Sequence, residues 1–223
     1  MNAIDQLAAL IAAIKLPHPV RVAIDGIDAA GKTTLADELV APIEARGRPV
    51  IRASIDGFHR PRPARYERGA NSPEGYYHDS FDYAALRAAL LEPLGPRGNR
   101  AYRRAVFDYR TDLPVQEPPR ITSADAVLLF DGVFLFRPEL NDCWDYRIFV
   151  AVDCAVAVQR AVARDRARGA NENIEERYWN RYVPGQRIYL RAVRPQECAD
   201  AVVENDDPAH PTLVLGNPHR QGA

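Results

Sequence analysis

Val20-Arg21-Val22-Ala23-Ile24-Asp25-Gly26-Ile27-Asp28-Ala29-Ala30-Gly31-Lys32-Thr33-Thr34 decides the architecture of this chain. Val20 to Asp25 is a short, mostly apolar run entered after Pro17 and Pro19, as a buried strand would be. Gly26 and Gly31 then bracket a loop, and from Thr33 the pattern turns helical. Leu35, Leu39, Val40 and Ile43 recur at helix spacing up to Arg46, where Gly47 supplies a stop. A strand that passes through a glycine-bracketed loop into a helix can turn tightly and aim several backbone N–H groups at one anion, with the positive end of the helix behind them.

Gly26, Ile27, Asp28, Ala29, Ala30, Gly31, Lys32, Thr33 and Thr34 therefore read as a phosphate-binding P-loop for ATP. Lys32 is placed to reach the β- and γ-phosphates, and the Thr33 hydroxyl to bind the Mg²⁺ that accompanies ATP as co-substrate. A chance match to the spacing occurs in about one chain per hundred of this length, and the flanking strand and helix make it rarer.

At 223 residues with 47% hydrophobic side chains, the chain suits one domain with a sizeable core. Twenty-nine basic and thirty acidic residues leave a net charge of -1, so no global field recruits nucleic acid or anionic membrane. Cys143, Cys154 and Cys198 lack CxxC spacing and suit a reducing cytoplasm rather than a disulfide framework or zinc site. Ile4, Leu7, Ile11 and Ile14 share one helical face, which places an amphipathic helix within residues 1–17 rather than a signal peptide. No apolar run approaches the roughly 20 residues that span a bilayer. The expectation is a cytoplasmic protein with a small-molecule acceptor and ATP as partners, no nucleic acid or membrane partner, and a homo-oligomer left open.

Val50–Ile55, Ala126–Asp131 and Tyr146–Val152 are further strand candidates. Helical patterns follow over Tyr83–Leu91, Ala155–Arg168 and Ile174–Leu190, with short closing strands at Ala199–Val203 and Thr212–Leu215. The alternation predicts a three-layer α/β domain with a parallel sheet and ligands at the carboxyl ends of its strands. Two polar, aromatic stretches, 57–82 and 95–120, are long for plain connections and read as acceptor-side loops; 155–190 reads as a helical lid region.

Asp131 closes the most apolar strand and suits the carboxylate anchor of Mg²⁺, or an acid leading into the turn at Gly132. Asp56 ends the strand after the P-loop helix, where it serves as a catalytic base toward an acceptor hydroxyl or merely opens an Asp-Gly turn. Arg160, Arg164 and Arg168 share one helical face, with Arg166 pointing elsewhere; such a stripe suits a solvated surface or a lid that closes over a triphosphate. His59 and His78 are compatible with packing, surface or catalytic roles.

Taken together, the P-loop, Asp56-Gly57-Phe58-His59, Asp79-Ser80-Phe81-Asp82, Val106-Phe107-Asp108-Tyr109, Phe130-Asp131-Gly132-Val133, Arg164-Asp165-Arg166-Ala167-Arg168-Gly169 and Ala199-Asp200-Ala201-Val202-Val203 resemble, in the same order, the uridine kinase and phosphoribulokinase group of P-loop kinases. The resemblance runs from about Val20 to Leu215. It implies a five-stranded parallel core, Asp56 as catalytic base, Asp131 as a magnesium residue, and Arg164 and Arg168 as lid arginines. Two departures stand on the acceptor side: uridine kinases carry tyrosine at the position of His59 and histidine at that of Asp112. Aspartate also replaces the usual glutamate at position 131.

The implied activity is transfer of the ATP γ-phosphoryl group to a hydroxyl of a small metabolite, first of all a nucleoside, with Lys32, Asp56, Arg164 and Arg168 catalytic and Asp56, His59, Phe107 and Tyr109 on the acceptor. Fructose, pantothenate and nicotinamide riboside are alternative acceptors. A nucleotide-binding regulator is the rival class, although no Asn-Lys-x-Asp guanine motif is present.

Overall fold

A computed structural model describes residues 2–169 and 173–216 of the chain. Six strands form one sheet: β1 (Val20–Gly26), β2 (Val50–Ser54), β3 (Val127–Gly132), β4 (Tyr146–Ala151), β5 (Ala201–Glu204) and β6 (Thr212–Leu215), in the order β6-β5-β4-β1-β3-β2. The five strands from β5 to β2 are parallel, the expected core, and β6 adds an antiparallel edge. β1 and β3 are buried along their whole length, which is why their sequences are nearly unbroken apolar runs, whereas β2 alternates in burial as an outer strand does.

Period-two geometry splits β3 between two cores. Leu128 and Phe130 face one layer with Phe58, Phe134, Trp144 and Tyr189. Val127 and Leu129 face the other with Leu7, Ile11, Ile24 and Ile148. The N-terminal helix α1 (Ala3–Ala13) closes the second layer with Leu7, Ala8 and Ile11. Arg48 ties its end down by donating to the Ile11 and Ile14 carbonyls and to Asp125 O.

The helix after the P-loop differs from its expected extent, Thr33 to Arg46. It forms as α2 (Lys32–Glu38) and α3 (Val40–Glu44), interrupted at Leu39. Pro42 explains the break: it has no N–H for the Glu38 carbonyl and its ring crowds that group. The stretch 57–82 is also not a plain loop, since it carries short helices at Arg62–Arg65 and α4 (Pro73–Asp79). Within 95–120, two short antiparallel ribbons pair Ala101–Tyr102 with Arg120–Ile121 and Phe107–Asp108 with Leu113–Pro114.

Of the 155–190 span, residues 170–172 lie outside the described residues. Its first part is α5 (Cys154–Ala167), and its last part belongs to α6 (Val183–Val193). α6 packs on the core through buried Tyr189, whose ring lies 5.2 Å from that of Phe134. Among the described residues no helix is long and apolar enough to cross a membrane.

Candidate active site

The carboxyl ends of β1, β2 and β3 converge on the P-loop. Gly26 has no room for a side chain, since a Cβ there would stand 2.6 Å from the Val150 carbonyl of β4. Gly31 has φ +99, and its Cβ would meet the Asn205 amide nitrogen at 2.4 Å. Asn205 Nδ2 donates to the Ala30 carbonyl at 2.7 Å, and Arg160 in turn donates to the Asn205 carbonyl at 2.9 Å. The loop's crown thus rests on the segment after β5. Ala29 adopts φ +56, a left-handed conformation that costs an L-residue about 1–2 kcal/mol.

Lys32 is buried and donates to the loop's own Ile27 carbonyl at 2.6 Å. Burial lowers its pKa, opposed by the charges of Asp28, Asp25, Asp131 and Asp56. The Thr33 hydroxyl donates to Asp131 Oδ2 at 2.7 Å, and Arg52 of β2 donates to Asp131 Oδ1 at 3.0 Å. The register Ile24↔Asp131↔Ser54 sets this height, two residues before β1 ends at Gly26. Thr33 and Asp131 offer hard oxygen donors side by side, the chemistry Mg²⁺ requires. Among the described residues no three His, Cys, Asp or Glu side chains cluster as a metal site, so a cation here would draw its other ligands from phosphate and water. Thr34 is exposed beside Thr33.

Asp56 sits on the 3-10 turn Ile55–Phe58 that follows β2. Gly57 lets this turn press on the segment 104–106, where a Cβ would lie 2.7 Å from that of Ala105. Enclosure by the site walls and the like charge of Asp131 raise the Asp56 pKa, while Lys32, Arg164 and Arg110 pull it down. His59 turns its Nδ1 to the Asp56 carbonyl at 3.1 Å and stacks between Phe81 and Tyr109, at 4.5 and 4.8 Å. Burial lowers its pKa to about 4, so this ring is neutral near pH 7. Tyr109 lines the adjoining cavity with His59, whereas Phe107 is buried and is not among its lining residues. His78 packs edge-on against Tyr77.

The arginine stripe divides by task. Arg160 is committed to the 205–206 backbone. Arg164, with its side chain 41% exposed, donates to Asp165 and to the Tyr178 hydroxyl, and its charge acts on Asp28 and Asp56. Arg168 is exposed at the end of α5, where its charge acts on Asp165.

Several interactions of the site escaped sequence reasoning. Asp25 is fully buried beneath the loop, where it accepts from Gly26 N and from the Tyr189 hydroxyl of α6. Burial raises its pKa to about 6, against the Tyr189 and Gly26 hydrogen bonds and the charge of Lys32. Asp28 accepts from Tyr76 of α4 at 3.0 Å and from Gln186 of α6 at 2.8 Å, which ties the P-loop to both walls. An acid inside a phosphate loop was a visible signal that partners had to exist; Tyr189 and Arg52 gave no local sign.

No family model matches the chain. Uridine-cytidine kinase B of Dictyostelium discoideum is 26% identical over 151 residues, which cover 67% of this chain and 60% of that protein. The uridine kinase of Lactobacillus helveticus is 26% identical over 204 residues, 86% of this chain and 91% of that protein. Among solved structures, a "possible uridine kinase" from Bacillus stearothermophilus aligns with a TM-score of 0.70 and 26% identity, covering 89% of this chain and 96% of that one. The matched region spans less than two thirds of the two Dictyostelium relatives, 60% of kinase B and 29% of kinase A. These similarities, and a P-loop set against Asp131 at the end of a parallel sheet, make the chain similar to uridine kinases and give it the fold of the P-loop kinases.

Proposed function

We propose that the chain is an ATP- and Mg²⁺-dependent phosphotransferase of the nucleoside-kinase type, which moves the γ-phosphoryl group to a hydroxyl of a small metabolite. The observation that carries this reading is the convergence of Thr33, Asp131 and Lys32 at the mouth of the P-loop, with Asp56 on the neighbouring strand end. The names of the relatives support a nucleoside-type acceptor.

Catalysis in such a site is positioning and charge stabilisation. Lys32 exchanges its Ile27 carbonyl for phosphate oxygens, and the loop N–H groups hold the rest of the triphosphate. Thr33 and Asp131 hold Mg²⁺, which when bound neutralises charge on the phosphates. Asp56 accepts the proton of the acceptor hydroxyl as that oxygen bonds the γ-phosphorus and the bond to the β,γ-bridging oxygen breaks, leaving ADP. Arg164 adds positive charge beside Asp28 and Asp56, and the neutral His59 and Tyr109 rings flank the acceptor.

The test is a coupled ADP-release assay with Mg²⁺ and ATP over nucleosides, sugars and vitamin precursors. Release that depends on an acceptor and is lost in Lys32→Ala supports the reading. Tight ATP binding with background release for every acceptor supports a nucleotide-binding regulator instead.

A further inference from the structure

Beside Asp56 and His59 opens a cavity of about 700 Å³. Its walls carry Arg62, Arg65, Arg110, Arg177 and Arg181, and no Asp or Glu is among its lining residues. Asp112 neutralises one of the five, pairing with Arg65 at 3.0 Å and also accepting from the Arg62 backbone. Asp79 is taken by Arg60 and Arg68. The Arg110 guanidinium reaches the Tyr109 hydroxyl and feels Asp56 and Asp108 through space, while the Arg110 backbone N–H donates to Asp108 Oδ1. Arg177 donates to the Tyr66 hydroxyl, and Arg181, only 3% exposed, to the carbonyls of Gly69, Ala70 and Ser72.

The guanidinium groups are also incompletely bonded. The Nε atoms of Arg65, Arg177 and Arg181 are buried without a hydrogen-bond partner; they are three of only four such side-chain atoms among the described residues. Arg177 lies 5.5 Å over the Tyr182 ring and Arg181 4.9 Å over that of Tyr66, contacts that offset part of the cost of withdrawing a cation from water but supply no negative charge, so the rest of that cost stands. A carboxylate or phosphate in the cavity offsets it, and arginine is suited to both. A neutral acceptor leaves the charge unmatched.

Position links this cavity to the reaction. Tyr76 in its wall donates to Asp28 of the P-loop, and His59 in its wall contacts the Asp56 backbone. We infer that the acceptor is an alcohol bearing an oxyanion, either a carboxylate or a phosphate ester, held by this arginine wall with its hydroxyl toward Asp56. The inference rests on the phosphotransferase reading and, within it, favours an anionic acceptor over the neutral nucleoside that the relatives' names support.

The experiment measures ADP release by the full chain on matched acceptors: glycerol and glycerate, pantothenol and pantothenate, fructose and fructose 6-phosphate, uridine and uridine 5′-monophosphate. Calorimetric binding of each acceptor is measured in parallel without ATP. In at least one pair the charged member should exceed its neutral counterpart by tenfold or more in kcat/KM, and whether it is a carboxylate or a phosphate identifies the anion. Arg110→Gln, at an exposed position, and Arg177→Gln should each lower the charged member at least tenfold more than the neutral one, mainly through KM, with ATP affinity retained. Equal or better use of the neutral members, with no such split in the variants, overturns the inference and leaves the phosphotransferase reading intact. If ATP binds but no acceptor supports ADP release, that reading falls and calorimetry decides for the cavity: binding of charged members that both variants weaken supports an anion site, and its absence refutes one.

Discussion

The Thr33 hydroxyl donates to Asp131 Oδ2 at 2.7 Å, although 98 residues separate the two in sequence. One comes from the helix behind the P-loop and the other from the end of β3, and together they present the oxygen donors of the proposed magnesium site. Asp131→Asn should therefore weaken apparent Mg²⁺ affinity by at least roughly 10–100-fold, the range for losing a group that only supports a metal's ligands. Titrating ADP release with MgCl₂ at fixed ATP measures this. An unchanged Mg²⁺ midpoint would remove Asp131 from the site.

Asp56→Asn should lower the transfer rate by about 10²–10⁴-fold while ATP still binds, as loss of a general base does. The wild-type rate should also fall on acidification, because the base works only when deprotonated. With its pKa raised by enclosure and by Asp131, that acid limb should lie above the ordinary aspartate value of about 3.9. A pH profile of kcat/KM that keeps the same limb in Asp56→Asn would assign it to another group.

Asp25 predicts a stability effect of opposite sign to that of most carboxylates. Its native pKa of about 6 lies above the reference value of 3.8, so between those values the folded state binds more protons than the unfolded. Stability from this group is therefore lost as pH rises through that window, by an order of 3 kcal/mol. Urea unfolding of wild type and Asp25→Asn at pH 4 and pH 7 isolates it: the variant's stability relative to wild type should improve at the higher pH. A pH-independent difference would contradict the assignment.

Gly31→Ala combines a left-handed φ with a 2.4 Å approach to Asn205 Nδ2. The expected loss is about 1–3 kcal/mol, or roughly 2–10 °C in melting temperature for a chain of this size. Adding Asn205→Ser should recover the steric part and leave the conformational part. Thermal melts of the single and double variants give the coupling; strict additivity would show that the two residues do not meet.

Local patterns revealed the frame. The glycine spacing, the apolar runs of β1 and β3 and the Asp-Gly turn at 56–57 are each set within a dozen residues, where backbone sterics and period-two burial act directly. The break at Leu39 is equally local, yet the expected helix follows the apolar spacing straight through Pro42, which causes the break. What stayed hidden depends on tertiary pairing. Tyr189 reaches Asp25 across 164 residues and Gln186 reaches Asp28 across 158, and no spacing rule connects such pairs. The arginine stripe was right as geometry, yet its members face different elements, so one shared role did not follow. Arg177 and Arg181 stand one turn apart, but only the folding of 57–82 over them turns that spacing into a wall.

Asn205 and Arg160 finish the shape of a loop encoded 175 residues earlier. During synthesis from the N-terminus, Gly26 to Thr33 leave the ribosome long before residue 205 does. The nascent chain therefore carries the glycine-bracketed motif well before residue 205, at the end of the strand that completes the parallel sheet, is there to brace its crown.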